Sequence, residues 1–273
     1  MTPDLSSYDF IMINSSGGKD SQTALAVTVA AADEAGVPRS RLVVVHADLG
    51  RMEWPGVKQL AREQAEYYNL EFVVEKYRNK AGENLTLLDY VRKRGKWPDA
   101  QNRYCTSDFK RGPCSRTITA LSRRVENRST ERPARVLSVF GFRSQESPAR
   151  AKHEPLAQDK RASNKTRHVD TWLPIHDWSE EEVWSSIKTE GVPYHEAYDL
   201  GMPRLSCCFC IFAPKGALQI AGKHNPELLQ EYVQVENDID HTFKHKFSLA
   251  EMHDEMIGGA EFEPVSADGC WNM

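Results

Sequence analysis

A hexapeptide, Ser16-Gly17-Gly18-Lys19-Asp20-Ser21, lies between a short apolar run, Phe10 to Ile13, and an Ala-, Leu- and Val-rich stretch from Lys19 to Ala32. The run reads as a buried strand and the stretch as a helix packed on a sheet. Two glycines let the backbone bend until successive amides point into one concavity, and the helix N-terminus adds partial positive charge. Lys19 supplies a full charge, and the Ser16 and Ser21 hydroxyls can donate. Asp20 makes sense in an anion site if a divalent cation such as Mg²⁺ accompanies the anion. The spacing is not that of the Walker loop, which has four residues between its first glycine and the Gly-Lys pair.

The rest of the first half keeps this rhythm. Leu42–Val45, Phe72–Val74 and Val136–Phe140 read as strands. Trp54–Tyr68, Leu85–Arg94 and Ser107–Val125 read as helices, the last with a break or reset at Gly112-Pro113. Such alternation predicts an α/β fold, a mostly parallel twisted sheet with helices on both faces. Arg150 to His168 is polar, basic and without strand signals, so a long loop or lid is expected there. Trp172–Ile175 is a short strand candidate. Ser179 can cap a helix opening with Glu180, Glu181 and Glu182. Asn225–His245 and Phe247–Ile257 complete a helical C-terminal part, and residues 258–273 show no clear element. The expected division is an α/β domain over 1–175 and a helical region over 176–273.

No apolar run approaches the ~18 residues of a membrane span. Met1 to Tyr8 is polar and acidic, unlike a secretory signal. A cytoplasmic, reducing setting is therefore expected for the six cysteines, and there clustered cysteines point to metal or redox chemistry before disulfides. The net charge of -4 is uneven. Arg103 to Arg167 holds 16 Lys or Arg against 6 Asp or Glu, and the remainder 19 against 33. A basic centre suits an anionic ligand, whether nucleotide, sulfate or nucleic acid, or is a solvated surface of mixed pairs.

The hexapeptide resembles the pyrophosphate loop of the ATP pyrophosphatases, Ser-Gly-Gly-x-Asp-Ser after a first strand. Three further segments resemble the phosphoadenosine phosphosulfate (PAPS) reductase family. They are Arg103-Tyr-Cys105-Thr106 with Lys110 and Pro113, Gly141-Phe-Arg143-Ser-Gln-Glu146-Ser147 with Arg150, and Pro174-Ile-His-Asp177-Trp178-Ser179. Val192-Pro193-Tyr194 then leads to Arg204-Leu-Ser-Cys207-Cys208-Phe-Cys210. The matches run in order over about residues 10–214. The resemblance implies a Rossmann-like fold of the adenine nucleotide alpha-hydrolase type. It also implies ATP held by Ser16, Gly17, Gly18, Lys19, Asp20, Ser21, Asp48, Gly141 and Arg143. Lys19, Asp20, Arg143 and Arg150 would act on the phosphates and the acceptor anion, where arginine forks suit phosphate or sulfate oxygens. Trp178 and Trp184 read as packing residues, and His176, His195 and His241 as ordinary histidines.

Cys207-x-x-Cys210 allows two thiolates to face one metal, with Cys105 as a distant third. Three readings stand open: a [4Fe-4S] cluster on Cys105, Cys207 and Cys210; a Zn²⁺ site, which wants four ligands; and a structural or dithiol pair. Cys208 and Cys114 are candidates for a fourth ligand. Cys270 is an incidental cysteine or a mobile sulfur carrier. The intact loop favours ATP over the 3′,5′-nucleotide of authentic PAPS reductases, and Cys270 is followed by Trp271 rather than Gly. Among family members the chain most resembles the DNA phosphorothioation sulfurtransferases of the DndC and SspD type. That resemblance implies adenylation of an acceptor oxygen, then sulfur insertion through the cluster. The acceptor would be anionic, with DNA one candidate, and a cysteine desulfurase would donate the sulfur. The alternatives are a reductase of adenylyl sulfate or PAPS, a sulfate adenylyltransferase-like subunit and a regulatory nucleotide-binding subunit.

Overall fold

The structure, a computed structural model, describes residues 2–126 and 132–265. They form two compact units, each assembled from separate stretches of chain. The first comprises Met1–Ala47, Gly56–Glu75 and Gly112–His195; the second comprises Asp48–Pro55, Lys76–Arg111 and Glu196–Met273.

The first unit is an α/β layer structure. Its strands are β1 (Phe10–Ser15), β2 (Leu42–Ala47), β3 (Glu71–Glu75), β4 (Ala134–Val139), β5 (Leu156–Gln158) and β6 (Arg167–Trp172), in the order β3-β2-β1-β4-β6-β5. All neighbours are parallel except β5, which runs antiparallel to β6. Side chains alternate across the pleat. Ile11 and Ile13 pack with Leu25 and Val29 of α1 (Lys19–Glu34) and Ala65 of α2 (Val57–Tyr67). Phe10 and Met12 pack with Ile118, Leu121 and Val125 of α5 (Gly112–Glu126) on the other face. The strand order turns back between β1 and β4. In open α/β sheets that switch point, at the carboxyl ends of the strands, is where ligands bind.

Three readings of the chain need correction. Arg150–His168 is not a strand-free loop: after the short helix α6 (Pro148–Ala151) it contains β5 and the first residues of β6. Backbone pairing makes these strands, and only Val169 and Trp172 of β6 are buried, so no alternation shows in the sequence. Trp172–Ile175 is not a strand, because β6 ends at Trp172 and the chain turns there, with the His176 amide donating to the Leu173 carbonyl. Ser179 does cap α7 (Glu180–Glu190), in a reciprocal box with Glu182. Trp178 and Trp184 pack beside Val183 and Ile187 around Ala24 of α1, so this helix leans on α1 rather than on the sheet.

The second unit is helical, with α3 (Leu87–Arg94), the turn α4 (Tyr104–Thr106), a π-helical turn Ser107–Arg111, α8 (Lys215–His224), α9 (Pro226–Asp238) and α10 (Leu249–Ile257). The reset expected at Gly112-Pro113 takes the form of that wide turn, directly upstream of a proline that has no amide to donate. Asn225–His245 is not one helix. α9 stops at Asp238, and α8 stands before it, begun by Pro214. The stop is built on Glu236, 5% exposed. Its carboxylate accepts from the amides of Phe243 (2.6 Å), Leu249 (3.2 Å) and Ala250 (3.0 Å) and from Ser248 Oγ (2.8 Å). Glu236→Ala strands these donors and is expected to cost about 3 kcal/mol or more, read as a fall in the urea midpoint. Glu236→Gln should lose less. No helix among the described residues is long and apolar enough to cross a membrane.

Candidate functional site

In the first unit the hexapeptide forms the turn between β1 and α1. Gly17 has φ +71°, a left-handed conformation that favours glycine. Its amide donates to Ser15 Oγ at 3.2 Å, the Ser16 amide donates to Ser21 Oγ at 3.1 Å, and Ser21 Oγ donates to the Gly18 carbonyl at 2.9 Å. Gly18 caps α1 without a side chain, the arrangement in which helix amides can serve an anion.

A chain of charges lies against this turn. Lys19, 2% exposed, has its Nζ 3.7 Å from Asp20 and 3.4 Å from Glu180 at the start of α7. Arg143, 4% exposed, donates from Nε to Asp20 Oδ1 at 2.6 Å, and its amide donates to Glu146 Oε2 at 2.9 Å. Arg150 Nη1 donates to the same Glu146 oxygen, and its guanidinium lies 4.3 Å from the Phe142 ring centroid. Burial works against the charge on Arg143, but Asp20, Glu146 and Glu180 outweigh it and hold its pKa above the ordinary arginine value. Three cations and three carboxylates thus balance beside the loop. Phosphate oxygens can compete for the cations, and a divalent cation for the carboxylates.

Gly141 follows β4, and here the close approach comes from the protein itself. A Cβ at 141 would run into the Asp20 carbonyl and the Ser21 amide. Gly141→Ala should therefore push α1's first turn out of place. The expected cost is about 1–3 kcal/mol, read as a fall in the urea midpoint, with nucleotide binding weakened in titration calorimetry.

Asp48, in the second unit, is 6% exposed. Its carboxylate accepts from the Gly50 amide at 2.7 Å and lies 3.2 Å from Lys76 Nζ, so it also shapes its own turn.

The same unit holds Cys105, Cys207 and Cys210. Cys105 sits in α4; Cys207 forms an isolated antiparallel bridge with Glu53. Burial pushes the Cys105 thiol up, with Lys110 pulling the other way. Burial pushes Cys207 up to about 12, again against Lys110, while Cys210, Cys105 and Glu53 add to the rise. Lys110 is held above the usual lysine value, first by Cys207 and then by Glu53, Cys210 and Cys105 against its burial. The three thiols, Glu53 and Lys110 therefore share one electrostatic neighbourhood. Among the described residues no three His, Cys, Asp or Glu side chains are arranged as around a metal ion. The donor chemistry nevertheless fits an iron-sulfur cluster: three soft thiols, and an ammonium opposite in sign to a thiolate-bound centre. Cys208, 1% exposed, belongs to the apolar core, its amide donating to the Met52 carbonyl at 2.9 Å. Cys114 belongs to the first unit and packs on the α5 side of the sheet. Cys270 lies outside the described residues.

Glu180 and Glu53 were not singled out by sequence reasoning, and Lys110 entered only as a motif position. Lys110 carried the one usable signal, a lysine five residues after Cys105 in a segment forced by Pro113 to rewind.

Residues 10–213 match the family model of the phosphoadenosine phosphosulfate reductase domain. The chain belongs to that family. The matched residues take in most of the nucleotide-binding α/β unit and stretches of the second unit. An uncharacterized protein of Methanocaldococcus jannaschii is 27% identical over 220 residues, 81% of this chain and 46% of that protein. An adenosine 5'-phosphosulfate reductase of Shouchella clausii is 39% identical over 72 residues, 26% of this chain and 28% of that one. The chain spans less than half the length of these curated relatives. A phosphoadenylyl-sulfate reductase from Candida auris, crystallised as a phosphate complex, is 17% identical over 74% of this chain and 83% of that chain, with a TM-score of 0.48.

Proposed function

We propose that this PAPS reductase-family protein cleaves ATP to adenylate an acceptor oxygen, and that sulfur then replaces that oxygen. The acceptor oxygen attacks the α-phosphorus; an O–P bond forms and pyrophosphate leaves with the electrons of the broken bond. A sulfide-level sulfur then attacks the acceptor atom, and AMP leaves carrying the original oxygen. No net oxidation occurs at this step; a cysteine desulfurase would supply the sulfur as a persulfide, which two electrons from a thiol reductant bring to the sulfide level. What carries the reading is the intact loop at the switch point, with Lys19 and Arg143 buried beside it. Lys19, the loop amides and a Mg²⁺ ion held through Asp20 would take up charge developing on pyrophosphate. Arg150 would meet the acceptor or the α-phosphate. Cys105, Cys207 and Cys210 would hold an iron-sulfur cluster, which supplies a site to bind and deliver sulfur. The intact loop and the three cysteines support a reaction of the DNA phosphorothioation type.

A second reading, reduction of adenylyl sulfate, is favoured by the relatives named adenosine 5'-phosphosulfate reductase. Pyrophosphate release from ATP, assayed with acceptors and sulfide, separates the two. Release that depends on acceptor supports sulfur insertion. Sulfite formed from adenylyl sulfate and a thiol reductant, with no pyrophosphate from ATP, overturns it.

A further inference from the structure

Several cations of the basic stretch from Arg103 to Arg167 are taken up in ion pairs. Arg116 pairs with Glu75, Arg124 with Glu71, Arg132 with Asp9, Arg143 with Asp20 and Arg150 with Glu146. Arg123 on α5, Lys152 after α6, and Lys160, Arg161 and Lys165 in the loop between β5 and β6 are exposed, and their side chains make no ion pair among the described residues. Four of these, Arg123, Lys160, Arg161 and Lys165, belong to one surface.

These four are brought together by the fold of the first unit. Ser115, Arg116, Thr119, Ala120 and Arg123 line an open groove along α5 of about 410 Å³. Arg167 ties the loop to that groove: its Nη1 donates to Thr119 Oγ1 and its Nε to the Ala162 carbonyl, both at 2.7 Å. Ala162 packs in the same apolar cluster as Ile118 and Leu121 of α5. Arg161 adjoins Ala162 in the chain, and Lys160 and Lys165 lie close on either side. The loop is held by its own hydrogen bonds. Asp159 Oδ1 accepts from the Arg161 and Ala162 amides, and Asn164 Oδ1 from the Thr166 and Arg167 amides. Its cations are therefore presented on an ordered backbone, which lowers the entropic cost of binding.

We propose that the α5 groove and the β5–β6 loop form a docking surface for the phosphate backbone of a nucleic acid. A small anion calls for converging, sheltered donors. These cations are exposed and spread along two elements. Arg123 lines the groove together with Arg116, whose charge is already met by Glu75, and the loop adds Lys160, Arg161 and Lys165. The proposal deepens the sulfur-insertion reading by naming what bears the acceptor oxygen, and it rests on that reading only for the acceptor role.

Docking is measured without nucleotide, so the two fail separately. The full chain is titrated onto a labelled mixed-sequence DNA duplex by anisotropy over a range of salt. The logarithm of affinity should fall linearly with the logarithm of salt. A variant with Arg123→Gln, Lys160→Gln, Arg161→Gln and Lys165→Gln should lose about 1 from that slope for each cation removed. Each single Gln variant is measured as well, since an exposed side chain can be replaced without unfolding the protein. Arg39→Gln with Lys188→Gln, elsewhere in the unit, should leave the slope unchanged. Three results would overturn the proposal: no binding at low salt, an unchanged slope in the quadruple variant, or polyglutamate bound as tightly as DNA. Pyrophosphate release without docking removes this surface alone; docking without release removes the reaction alone.

Discussion

Arg143→Ala should abolish measurable ATP binding and lower stability by about 2–3 kcal/mol, because it leaves a largely buried carboxylate without its closest charged partner. Asp20 then keeps only Lys19, at 3.7 Å, in place of a 2.6 Å hydrogen bond from a guanidinium. Arg143→Lys separates the two effects. The charge remains, so folding should be nearly retained. The forked donor set is lost, so nucleotide affinity should still fall. Adding Asp20→Asn to Arg143→Ala removes the orphaned charge. It should recover stability in a urea titration without recovering binding in calorimetry. If Arg143→Ala binds ATP as the parent does, the charge network is structural and the site lies elsewhere.

Cys105→Ala should lose the iron that the parent retains through anaerobic purification, as should Cys207→Ala and Cys210→Ala. Cys208→Ala and Cys114→Ala should keep it, because these two thiols belong to apolar packing. Burial pushes Cys207 up to about 12, so at neutral pH its thiol holds a proton that a metal must displace. Loading should then release protons and strengthen as pH rises, even though Lys110 pulls the thiol downward. Iron and zinc analysis with visible absorbance reads all five variants. A colourless parent with stoichiometric zinc would refute the cluster. Iron retained in Cys105→Ala would refute this ligand set.

Local chemistry made much of the first unit legible. The strand, turn and helix around Ser16–Ser21 follow from an apolar run, two glycines and a helix-forming stretch, all adjacent in sequence. Ser179 announced α7 through a cap that depends on Glu182, three residues away. The readings failed where neighbours in space are distant in sequence. Nothing in Leu156–Gln158 or Arg167–Trp172 marks a strand. Pairing of β6 with β4 and of β5 with β6 supplies the hydrogen bonds, and few side chains in these strands need burial. Likewise Asn225–His245 looks helical throughout, yet the Glu236 carboxylate binds amides beyond α9 and ends the helix.

The hexapeptide reads as an anion loop whose carboxylate suits a divalent cation; tertiary structure decides which side chains that carboxylate meets. Glycine conformations and helix capping depend on a few consecutive residues, so the loop was determined by sequence alone. The partners of Lys19, Asp20 and Arg143 come from α7 and from the turn after β4. Charges buried in low dielectric must find opposite charges wherever folding delivers them. Composition likewise exposed a basic stretch but not which of its cations are spent. Only the ion pairs of the folded chain separate Arg116 and Arg124 from Arg123, Lys160, Arg161 and Lys165.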